Sequence, residues 1–185
     1  MSRLVEILIS IAFIIIISPI GLLVCLIIWV DIKDNPIHFS KRVGQNNKLF
    51  YMPKLKTMNR NAPQIATDLI DEKKFITWSG RFLRKYSIDE LPQLFSVLMG
   101  DMKIVGPRPA LFNQYQLIKK RNEKGIEILK PGITGWAQIN GRDKVSIEEK
   151  VKLDEYYMLN KSIFFDIKII FLTIFNVVLK KNISH

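Results

Sequence analysis

The most prominent pattern in the chain is one long apolar run near its start, residues 4–30, in which Glu6 is the only charged side chain. A helix needs roughly 20 apolar residues to cross a bilayer, so this run is long enough to enter a membrane. A cleavable signal peptide has an apolar region of only about 7 to 15 residues, which fits the run poorly. The pattern therefore predicts a membrane segment that stays attached to the chain.

Ser18 and Pro19 lie near the middle of this apolar run. Proline removes one helical hydrogen bond, and a serine hydroxyl can bond a carbonyl freed nearby. Hydropathy alone favours a plain spanning helix with a kink. The run is, however, longer than a straight crossing needs, and charged residues flank both of its ends. We predict a re-entrant membrane helix over residues 1–33 with a Ser18-Pro19 break, followed by a cytoplasmic domain over residues 34–185.

The rest of the chain combines helical patterns with a few strand-like runs. Strand patterns occur at Phe39 and over 49–52, on either side of a polar turn. Helical patterns cover residues 61–71, 75–85, 87–99, 111–118 and 147–160. The fold class predicted is mostly α with short β segments, an irregular domain built around the membrane segment.

Two of these helices carry clear internal signals. In the helix over 87–99, apolar side chains recur at helical spacing and Gly100 follows as a stop. Those apolar side chains are Leu91, Leu94, Phe95 and Leu98. The helix over 147–160 opens on Ser146, with Glu149 three residues later, which is a capping box.

A second apolar stretch, residues 163–179, lies near the other end of the chain and is interrupted by Asp166, Lys168 and Asn176. Its uninterrupted apolar part is too short to span a bilayer. We expect an amphipathic interfacial helix over about 161–181, which lies on the membrane or packs on the first segment.

Composition limits the chemistry. The chain has 185 residues, one cysteine and two histidines. The lone Cys25 excludes a disulfide scaffold, and His38 and His185 are too few and too far apart for a histidine-based metal site. Any metal is therefore expected to be held by oxygen ligands.

The charge is strongly basic, with 28 Lys and Arg against 17 Asp and Glu for a net +11. All of the excess lies after residue 30. No DNA-binding or RNA-binding motif is recognisable, and a basic face beside an apolar segment suits anionic lipid headgroups. We predict membrane phospholipids as partners and no nucleic acid. A homodimer is compatible with exposed membrane-proximal helices.

Two adjacent carboxylates, Asp89 and Glu90, form the densest group of candidate site residues. In one alignment Ser87 caps the helix and forms a capping box with Glu90. In the other, Asp89 caps it, and Pro92 then lies in the first turn, where a backbone N–H has no partner within the helix. Both registers place the pair at the positive helix end, which suits a divalent cation with a phosphorylated ligand. Simple capping is the alternative.

Arg108 stands between Pro107 and Pro109, which presents its guanidinium on a stiff extended segment suited to bidentate phosphate binding. A glycine-punctuated loop follows over 131–143 and includes Arg142; it could hold a nucleoside diphosphate. Lys54 adds a cation near the membrane segment, where a lipid-facing basic surface is the alternative role.

Asp154 falls inside the apolar stripe of its predicted helix, in register with Ile147, Val151 and Met158. Acidic side chains are rarely buried without a partner. Asp154 is therefore expected either to pair with a buried arginine or to take a direct role in the site.

Together these motifs resemble the bacterial sugar transferase family, in particular its small monotopic phosphoglycosyl transferases. The resemblance rests on SIDELPQLFSVLMGDMKIVGPRP from Ser87, PGITGWAQINGRD from Pro131 and the Ser18-Pro19 membrane segment. It extends over nearly the whole chain.

The resemblance implies transfer of a sugar phosphate from a UDP-sugar to polyprenyl (undecaprenyl) phosphate, with release of UMP. It also implies Mg²⁺, an aspartyl-phosphosugar intermediate and an active site on the cytoplasmic face of the bacterial membrane. An N-acetylated deoxy-sugar is favoured by analogy with family members that transfer bacillosamine phosphate.

The same resemblance implies roles for individual residues. Asp89 matches the nucleophile and Glu90 the metal ligand, with Asp89 beside it at the metal. The positions matching phosphate or nucleotide binding are Lys54, Arg84, Arg108 and Arg142, and Asp154 matches another required acid. The alternative function is a non-catalytic, membrane-anchored basic interaction module, which leaves the acid pair and the two prolines around Arg108 without a reason.

Overall fold

The computed structural model describes residues 1–62, 74–141 and 145–178. Three sequence predictions therefore lie outside the described residues: nearly all of the helix over 61–71, the position of Arg142, and the last three residues of the interfacial helix. The prediction of a mostly helical fold with few short strands is confirmed for the described parts.

Seven helices and four strands form the described fold. The helices are α1 (Arg3–Ile32), α2 (Trp78–Lys85), α3 (Gln93–Met99), α4 (Tyr115–Glu123), α5 (Trp136–Ile139), α6 (Ile147–Asn160) and α7 (Ile163–Val178). The strands are β1 (Ile37–Val43), β2 (Leu49–Leu55), β3 (Lys103–Val105) and β4 (Gly132–Thr134). β1 and β2 form an antiparallel hairpin, and β3 pairs with β4 in parallel.

Helix α1 is the one described helix that is long and apolar enough to cross a membrane. Pro19 lies inside it and has no N–H to offer the carbonyl of Ile15. The Ser18 hydroxyl donates to that carbonyl instead, at 3.0 Å. The helix runs continuously from Arg3 to Ile32, and at Ser18-Pro19 the serine hydroxyl replaces one backbone hydrogen bond. The re-entrant course of the helix stays a prediction.

Both ends of α1 pack against the rest of the molecule, whereas its middle projects from it. Near the start, Glu6 is only 2 % exposed, and near the end Ile28 is fully buried. Between them, side chains such as Ile16 and Leu22 are more than two-thirds exposed. At the far end, Ile28 and Ile32 join a core cluster with Leu55 and Leu83.

The hairpin of β1 and β2 carries one side of the core. The polar turn predicted between its strands is confirmed, and it closes with the Gly44 N–H on the Lys48 carbonyl at 2.7 Å. Phe50 and Met52 point inward from β2 because side chains alternate along a strand. They pack with Val97 of α3 and with Met102. The hairpin is thereby fixed to the segment that carries the acid pair.

The glycine-punctuated stretch over 131–143 has a structural use in its first half. Gly132 and Gly135 lie against the backbone of Gly106, and a Cβ on either one would collide with it. The close approach allows the Gly106 N–H to bond the Thr134 carbonyl and the Gly132 N–H to bond the Pro107 carbonyl, both at 2.9 Å. These glycines therefore pack β4 against β3. The stretch expected to be a loop forms there a strand and the short helix α5, and its binding of a nucleotide stays a prediction.

The helix predicted over 87–99 is shorter than expected. Ser87 adopts a left-handed backbone conformation (φ 53°), and residues Ile88–Glu90 form a 3-10 turn. In an α-helix the N–H of residue 92 would donate to the Ile88 carbonyl, but Pro92 has no N–H. The Ile88 carbonyl accepts from the Leu91 N–H instead, as in a 3-10 helix. Helix α3 begins only at Gln93, and no side chain caps it. Both predicted capping registers are therefore wrong.

The burial of α3 also differs from the predicted stripe. Its buried side chains are Gln93, Ser96 and Val97, whereas Phe95 is 53 % exposed and Met99 is 81 % exposed. The helix predicted from the apolar spacing is confirmed, but most of its apolar side chains do not point into the core. An exposed apolar face on a basic domain next to α1 is typical of a surface that meets lipid.

The last two helices behave as their patterns predicted. Ser146 accepts a hydrogen bond from the Glu149 N–H at 3.2 Å, so the serine cap predicted at the start of α6 is confirmed. Helix α7 buries Ile169 and Asp166 on one side. The Asp166 carboxylate accepts from the Tyr157 hydroxyl of α6 at 2.8 Å. On its other side α7 exposes large apolar side chains: Phe164, Ile167, Phe171 and Ile174.

Candidate active site

Three separate elements meet at the acid pair, and two of them bring a cation. Glu90 lies in the 3-10 turn, Lys54 near the end of β2, and Arg108 just after β3. Arg108 Nη2 lies 2.9 Å from Glu90 Oε1, and Lys54 Nζ lies 3.5 Å from the same oxygen. The sequence predictions for Lys54, Glu90 and Arg108 therefore meet at one place.

Asp89 shares this site with Glu90. Both carboxylates belong to residues that are 8 % exposed, because the 3-10 turn is packed between α2 and β2. The charge of Asp89 acts on Lys54, together with those of Glu90, Arg108 and Arg42. Two acids and three cations thus form one electrostatic group in a partly water-excluded position, where charge interactions are stronger than in water.

Lys54 is the most perturbed cation of the group. Burial lowers the pKa of the Lys54 ammonium from 10.5 to about 8, and the neighbouring Arg108 and Arg42 act in the same direction while Glu90 and Asp89 oppose it. A lysine with such a pKa remains largely protonated at neutral pH and gains from any further anion placed beside it. Phosphate oxygens are anions of that kind.

Arg108 is held by its backbone as well as by its side chain. Arg121 Nη1 donates to the Arg108 carbonyl at 2.9 Å, and Arg42 Nη1 donates to the Pro109 carbonyl at 3.1 Å. Pro107 and Pro109 add their own restriction on the backbone. The stiff presentation predicted from the two prolines is therefore reinforced by two buried or half-buried arginines.

Asp154 acts behind this segment and not at the acid pair. It is 1 % exposed, and its Oδ2 accepts from Arg121 Nε at 3.0 Å and from Arg121 Nη2 at 2.6 Å. Burial raises the pKa of the Asp154 carboxyl, and Arg121 opposes this. Of the two roles expected for Asp154, the structure shows the first, which is pairing with a buried arginine.

Arg121 is a residue of this site that the sequence analysis did not identify. The available signal was Asp154 itself, because a carboxylate in an apolar stripe requires a cation. Arg121 lies on α4 and links Asp154 of α6 to the backbone of Arg108. The pair therefore supports the position of Arg108.

Arg84 lies in the last turn of α2, and its Nε donates to the Thr57 hydroxyl at 2.9 Å. Thr57 follows the end of β2 and is buried. Gly80 of the same helix touches the Thr57 backbone so closely that a Cβ there would collide. Helix α2 is thus fixed to the strand that carries Lys54, with Arg84 on the turn that leads to the acid pair.

The oxygen donors at the acid pair fit Mg²⁺ held together with a substrate. No group of three or more His, Cys, Asp or Glu that could hold a metal occurs among the described residues. Mg²⁺ prefers oxygen ligands and is commonly bound by one or two carboxylates plus the phosphates of a substrate. Asp89 and Glu90 supply two adjacent, buried carboxylates, so this residue pair suits a metal that arrives with a diphosphate.

Comparison with known proteins adds to this geometry. The family model described as bacterial sugar transferase matches residues 1–180. The chain is 43 % identical over 152 residues to the uncharacterized sugar transferase EpsL of Bacillus subtilis, covering 82 % of this chain and 74 % of that protein. It is 37 % identical over 187 residues to the UDP-glucose:undecaprenyl-phosphate glucose-1-phosphate transferase of Escherichia coli, covering 95 % of this chain and 39 % of that one.

A further relative is the undecaprenyl-phosphate galactose phosphotransferase of Salmonella typhimurium, 36 % identical over 192 residues. That alignment covers 94 % of this chain and 39 % of the relative. The chain thus spans about three quarters of EpsL and about two fifths of the two larger transferases. In all three cases most of the present chain is matched, which includes the segments that carry the acid pair and Arg108.

Proposed function

Because this chain belongs to the bacterial sugar transferase family and is thereby an enzyme of the transferase class, we propose that it moves a sugar phosphate from a UDP-sugar to polyprenyl phosphate. The products are polyprenyl diphosphate-sugar and UMP. Relatives named for undecaprenyl-phosphate sugar phosphotransfer support the acceptor, and the name of the Escherichia coli relative supports a UDP-sugar donor.

One observation carries the proposal: the adjacent carboxylates of Asp89 and Glu90 lie in a buried turn with Lys54 and Arg108 beside them. Carboxylates are the groups that attack phosphorus or hold a metal, and the cations offset the charge of a diphosphate. A non-catalytic basic module has no need to bury two acids among cations, since that arrangement costs desolvation without a ligand to match it.

The proposed reaction has two steps. In the first, a carboxylate oxygen of Asp89 attacks the sugar-bearing phosphorus, a new O–P bond forms, and the bond to the bridging oxygen breaks so that UMP leaves. In the second, a phosphate oxygen of the polyprenyl phosphate attacks the same phosphorus, and the Asp89 carboxylate leaves unchanged. A covalent intermediate divides one difficult exchange into two easier ones.

The surrounding residues support these steps by charge and position. Glu90, with Asp89 beside it, would hold Mg²⁺, which supplies charge neutralisation of the diphosphate when bound. Lys54 and Arg108 would bind phosphate oxygens, with the Arg108 fork suited to bidentate contact. Arg84 and Arg142 stay proposed phosphate or nucleotide ligands. Asp154 contributes through Arg121, which positions Arg108.

The ends of α1 support the re-entrant arrangement. At its start, Arg3 donates to the carbonyls of Val97 and Leu98, and at its end Asp31 accepts from the backbone N–H of Ser79 at 3.3 Å. A straight helix of this length would separate its ends by about 45 Å. Contact of both ends with α2 and α3 of one domain is what a helix entering and leaving one membrane face requires.

Three exposed apolar faces support contact with phospholipids next to this helix. They belong to α2, with Trp78 and Phe82, to α3, with Phe95 and Met99, and to α7. We propose that these faces lie in the membrane interface and that the domain stays on the cytoplasmic side. The acid pair would then lie at the surface where the phosphate of a lipid acceptor is reached.

The topology is tested by cysteine labelling in cells. With Cys25 replaced, a cysteine at position 2 should resist membrane-impermeant thiol reagents until the cells are permeabilised. Labelling in intact cells would contradict the re-entrant arrangement. Replacing Ser18 and Pro19 together with Ala restores a regular hydrogen bond at Ile15 and should move part of the population to a spanning form.

The activity is tested by UMP release from UDP-sugars with polyprenyl phosphate and Mg²⁺. Asp89→Asn should abolish release while the protein folds and inserts, and Asp101→Asn, which alters an exposed acid, is the matched control. UDP-glucose, UDP-galactose and UDP-activated N-acetylated deoxy-sugars form the donor panel. A folded Asp89→Asn protein with near-normal UMP release would overturn the assignment.

A further inference from the structure

A cavity lies beside the start of α1, and none of its lining residues belongs to the acid-pair site. Its volume is about 410 Å³, and small-molecule sites in proteins range from about 300 to 1,000 Å³. Its charged lining side chains are Arg3, Glu6, Lys103, Lys130 and Lys161. Four cations thus surround one carboxylate, which makes the cavity suited to an anion.

Positive charge exceeds negative charge in this cavity, although Lys103 and Arg3 interact with Glu6. Within the described parts of the chain, Lys103, Lys130 and Lys161 form no ion pair. Arg3 is held in place by the Val97 and Leu98 carbonyls at 2.5 and 2.8 Å. An excess of uncompensated positive charge in a concave site favours a ligand that brings negative charge.

Two of the cations converge on one point. A Cβ built on Gly100 would lie 3.5 Å from Arg3 Nη2 and 4.0 Å from Lys130 Nζ. The guanidinium and the ammonium are therefore close enough to bind the oxygens of a single phosphate group. Like charges brought together in this way repel, and an anion between them removes that repulsion.

Glu6 gives the cavity a second polar feature. The residue is 2 % exposed, and its Oε2 atom has no hydrogen-bond partner among the described residues. A buried carboxylate oxygen without a donor is costly, so a ligand that carries a hydroxyl group would complete it. The lining thus suits a phosphate ester with a hydroxyl-bearing group attached.

The position of the cavity favours a lipid over a soluble phosphate as its ligand. It lies at the first turn of α1, where the side chains next to Arg3 are apolar and exposed: Leu4 is 66 % exposed and Leu8 is 58 % exposed. A ligand whose phosphate fills the cavity can therefore continue as acyl chains along α1. Burial of those chains adds favourable free energy that a soluble phosphate lacks.

We propose that this cavity binds the headgroup of an anionic phospholipid with a phosphoglycerol-type head. Arg3, Lys103 and Lys130 bind the phosphodiester, and a headgroup hydroxyl donates to Glu6. A phosphocholine head brings a trimethylammonium group that has no donor for Glu6 and adds positive charge among the lysines. The site is separate from the acid pair, so it acts as a lipid anchor and not as part of the transfer reaction.

The test counts lipids bound to the purified full chain in detergent by native mass spectrometry. Dioleoyl-phosphatidylglycerol should bind at least about tenfold more tightly than dioleoyl-phosphatidylcholine. The negative charge of its phosphodiester is not offset by a cation in the same headgroup, as it is in phosphatidylcholine. The double variant Lys103→Gln/Lys130→Gln should weaken the phosphatidylglycerol complex by about 30-fold or more. Inorganic phosphate and glycerol 1-phosphate are titrated as competitors.

The matched control removes two lysines elsewhere. Lys119→Gln/Lys152→Gln has the same net charge as the cavity variant, but both side chains are exposed and lie outside the cavity. It should change phosphatidylglycerol binding by less than about twofold. If the cavity variant fails to fold, Lys161→Gln replaces it, because that side chain is exposed and its loss should weaken binding by about threefold to tenfold.

Two results would overturn the proposal. Equal retention of phosphatidylglycerol by the cavity and control variants would show that the lipid binds elsewhere. Displacement of phosphatidylglycerol by inorganic phosphate or glycerol 1-phosphate at similar concentrations would show a soluble-phosphate site instead of a lipid site. Lipid counting needs no turnover, so either failure is separate from the outcome of the UMP-release assay.

Discussion

Two groups in this molecule pair carboxylates with cations, but they differ in how far their side chains are exposed. Asp154 pairs with one arginine, the two side chains are 2 % and 10 % exposed, and a further guanidinium N–H of Arg121 donates to the Arg108 carbonyl. Glu90 faces Lys54 and Arg108 through one oxygen, and those side chains are 16 % and 22 % exposed. The first group is a buried internal pair, whereas both cations of the second are partly exposed.

The difference shows how a structural ion pair is distinguished from a site. A buried pair with matched charges satisfies itself, and removing one partner harms folding. In the other kind of group, several cations share one acid oxygen and partial burial shifts their pKa values. Such a group is stabilised by an added anion, so altering it reduces function before it reduces stability. The following substitutions test this distinction, and they are ordered from the largest expected effect to the smallest.

Asp154→Ala is expected to have the largest effect on stability. It leaves Arg121 buried without its counter-ion, which costs about 3–5 kcal/mol in the free energy of unfolding. Chemical denaturation of the membrane-extracted protein measures this. The double variant Arg121→Met/Asp154→Leu should recover to within about 2 kcal/mol of the parent chain, because an apolar pair of similar volume replaces the ion pair.

That double variant also separates the two roles of Arg121. Stability should recover, but UMP release should stay reduced, because no N–H remains to hold the Arg108 carbonyl. Full recovery of both stability and UMP release would contradict the positioning role. Loss of both would indicate that the pair has a further structural use.

Arg108→Lys should affect activity more than stability. Lysine keeps the positive charge near Glu90 but loses the planar fork that binds phosphate through two N–H groups. We expect kcat/KM for the UDP-sugar to fall by about 10- to 100-fold, with a change in unfolding free energy below about 1 kcal/mol. Lys119→Arg at an exposed position is the control. Unchanged kinetics would remove Arg108 from the site.

The pH dependence of Lys54 gives the smallest and sharpest test. Its pKa in the folded chain is about 8, against 10.5 for an ordinary lysine. Between these values the unfolded chain binds more protons, so the Lys54 contribution to the free energy of unfolding rises with pH over that window. Phosphate binding follows the opposite trend, since the ammonium is lost above pH 8.

Affinity for the UDP-sugar should therefore decline as the pH passes 8, measured as KM from about pH 6.5 to 9.5. Lys54→Arg keeps its charge over this range and should move the decline upward by about one pH unit or more. An identical alkaline decline in both proteins would exclude Lys54 as its cause.

Local patterns predicted many elements because their causes are local. The hairpin turn at Gly44, the serine cap at Ser146 and the apolar length of α1 are set by neighbouring residues, and all three are confirmed. The start of α3 was wrong because the left-handed Ser87 and the missing N–H of Pro92 outweigh apolar spacing. Periodicity identified a helix but not which environment its apolar face meets.

The site was predicted as residue types but not as an assembly. Glu90, Lys54 and Arg108 were identified from motifs and resemblance. The packing of β2 against the 3-10 turn brings Lys54 to Glu90, and the segment after β3 brings Arg108 there. Arg121 was missed because its importance depends on Asp154, which lies on another helix. The use of Gly132 and Gly135 in strand packing likewise depends on a contact with Gly106 that no local pattern shows.

The most direct measurement of the central claim is the mass of the protein after incubation with a UDP-sugar and Mg²⁺ in the absence of polyprenyl phosphate. A phosphosugar adduct on the peptide that contains Asp89 is expected, and adding polyprenyl phosphate should discharge it with formation of polyprenyl diphosphate-sugar. Asp89→Asn should show no adduct. Turnover of UDP-sugar without any adduct on Asp89, or an adduct on another residue, would contradict the account.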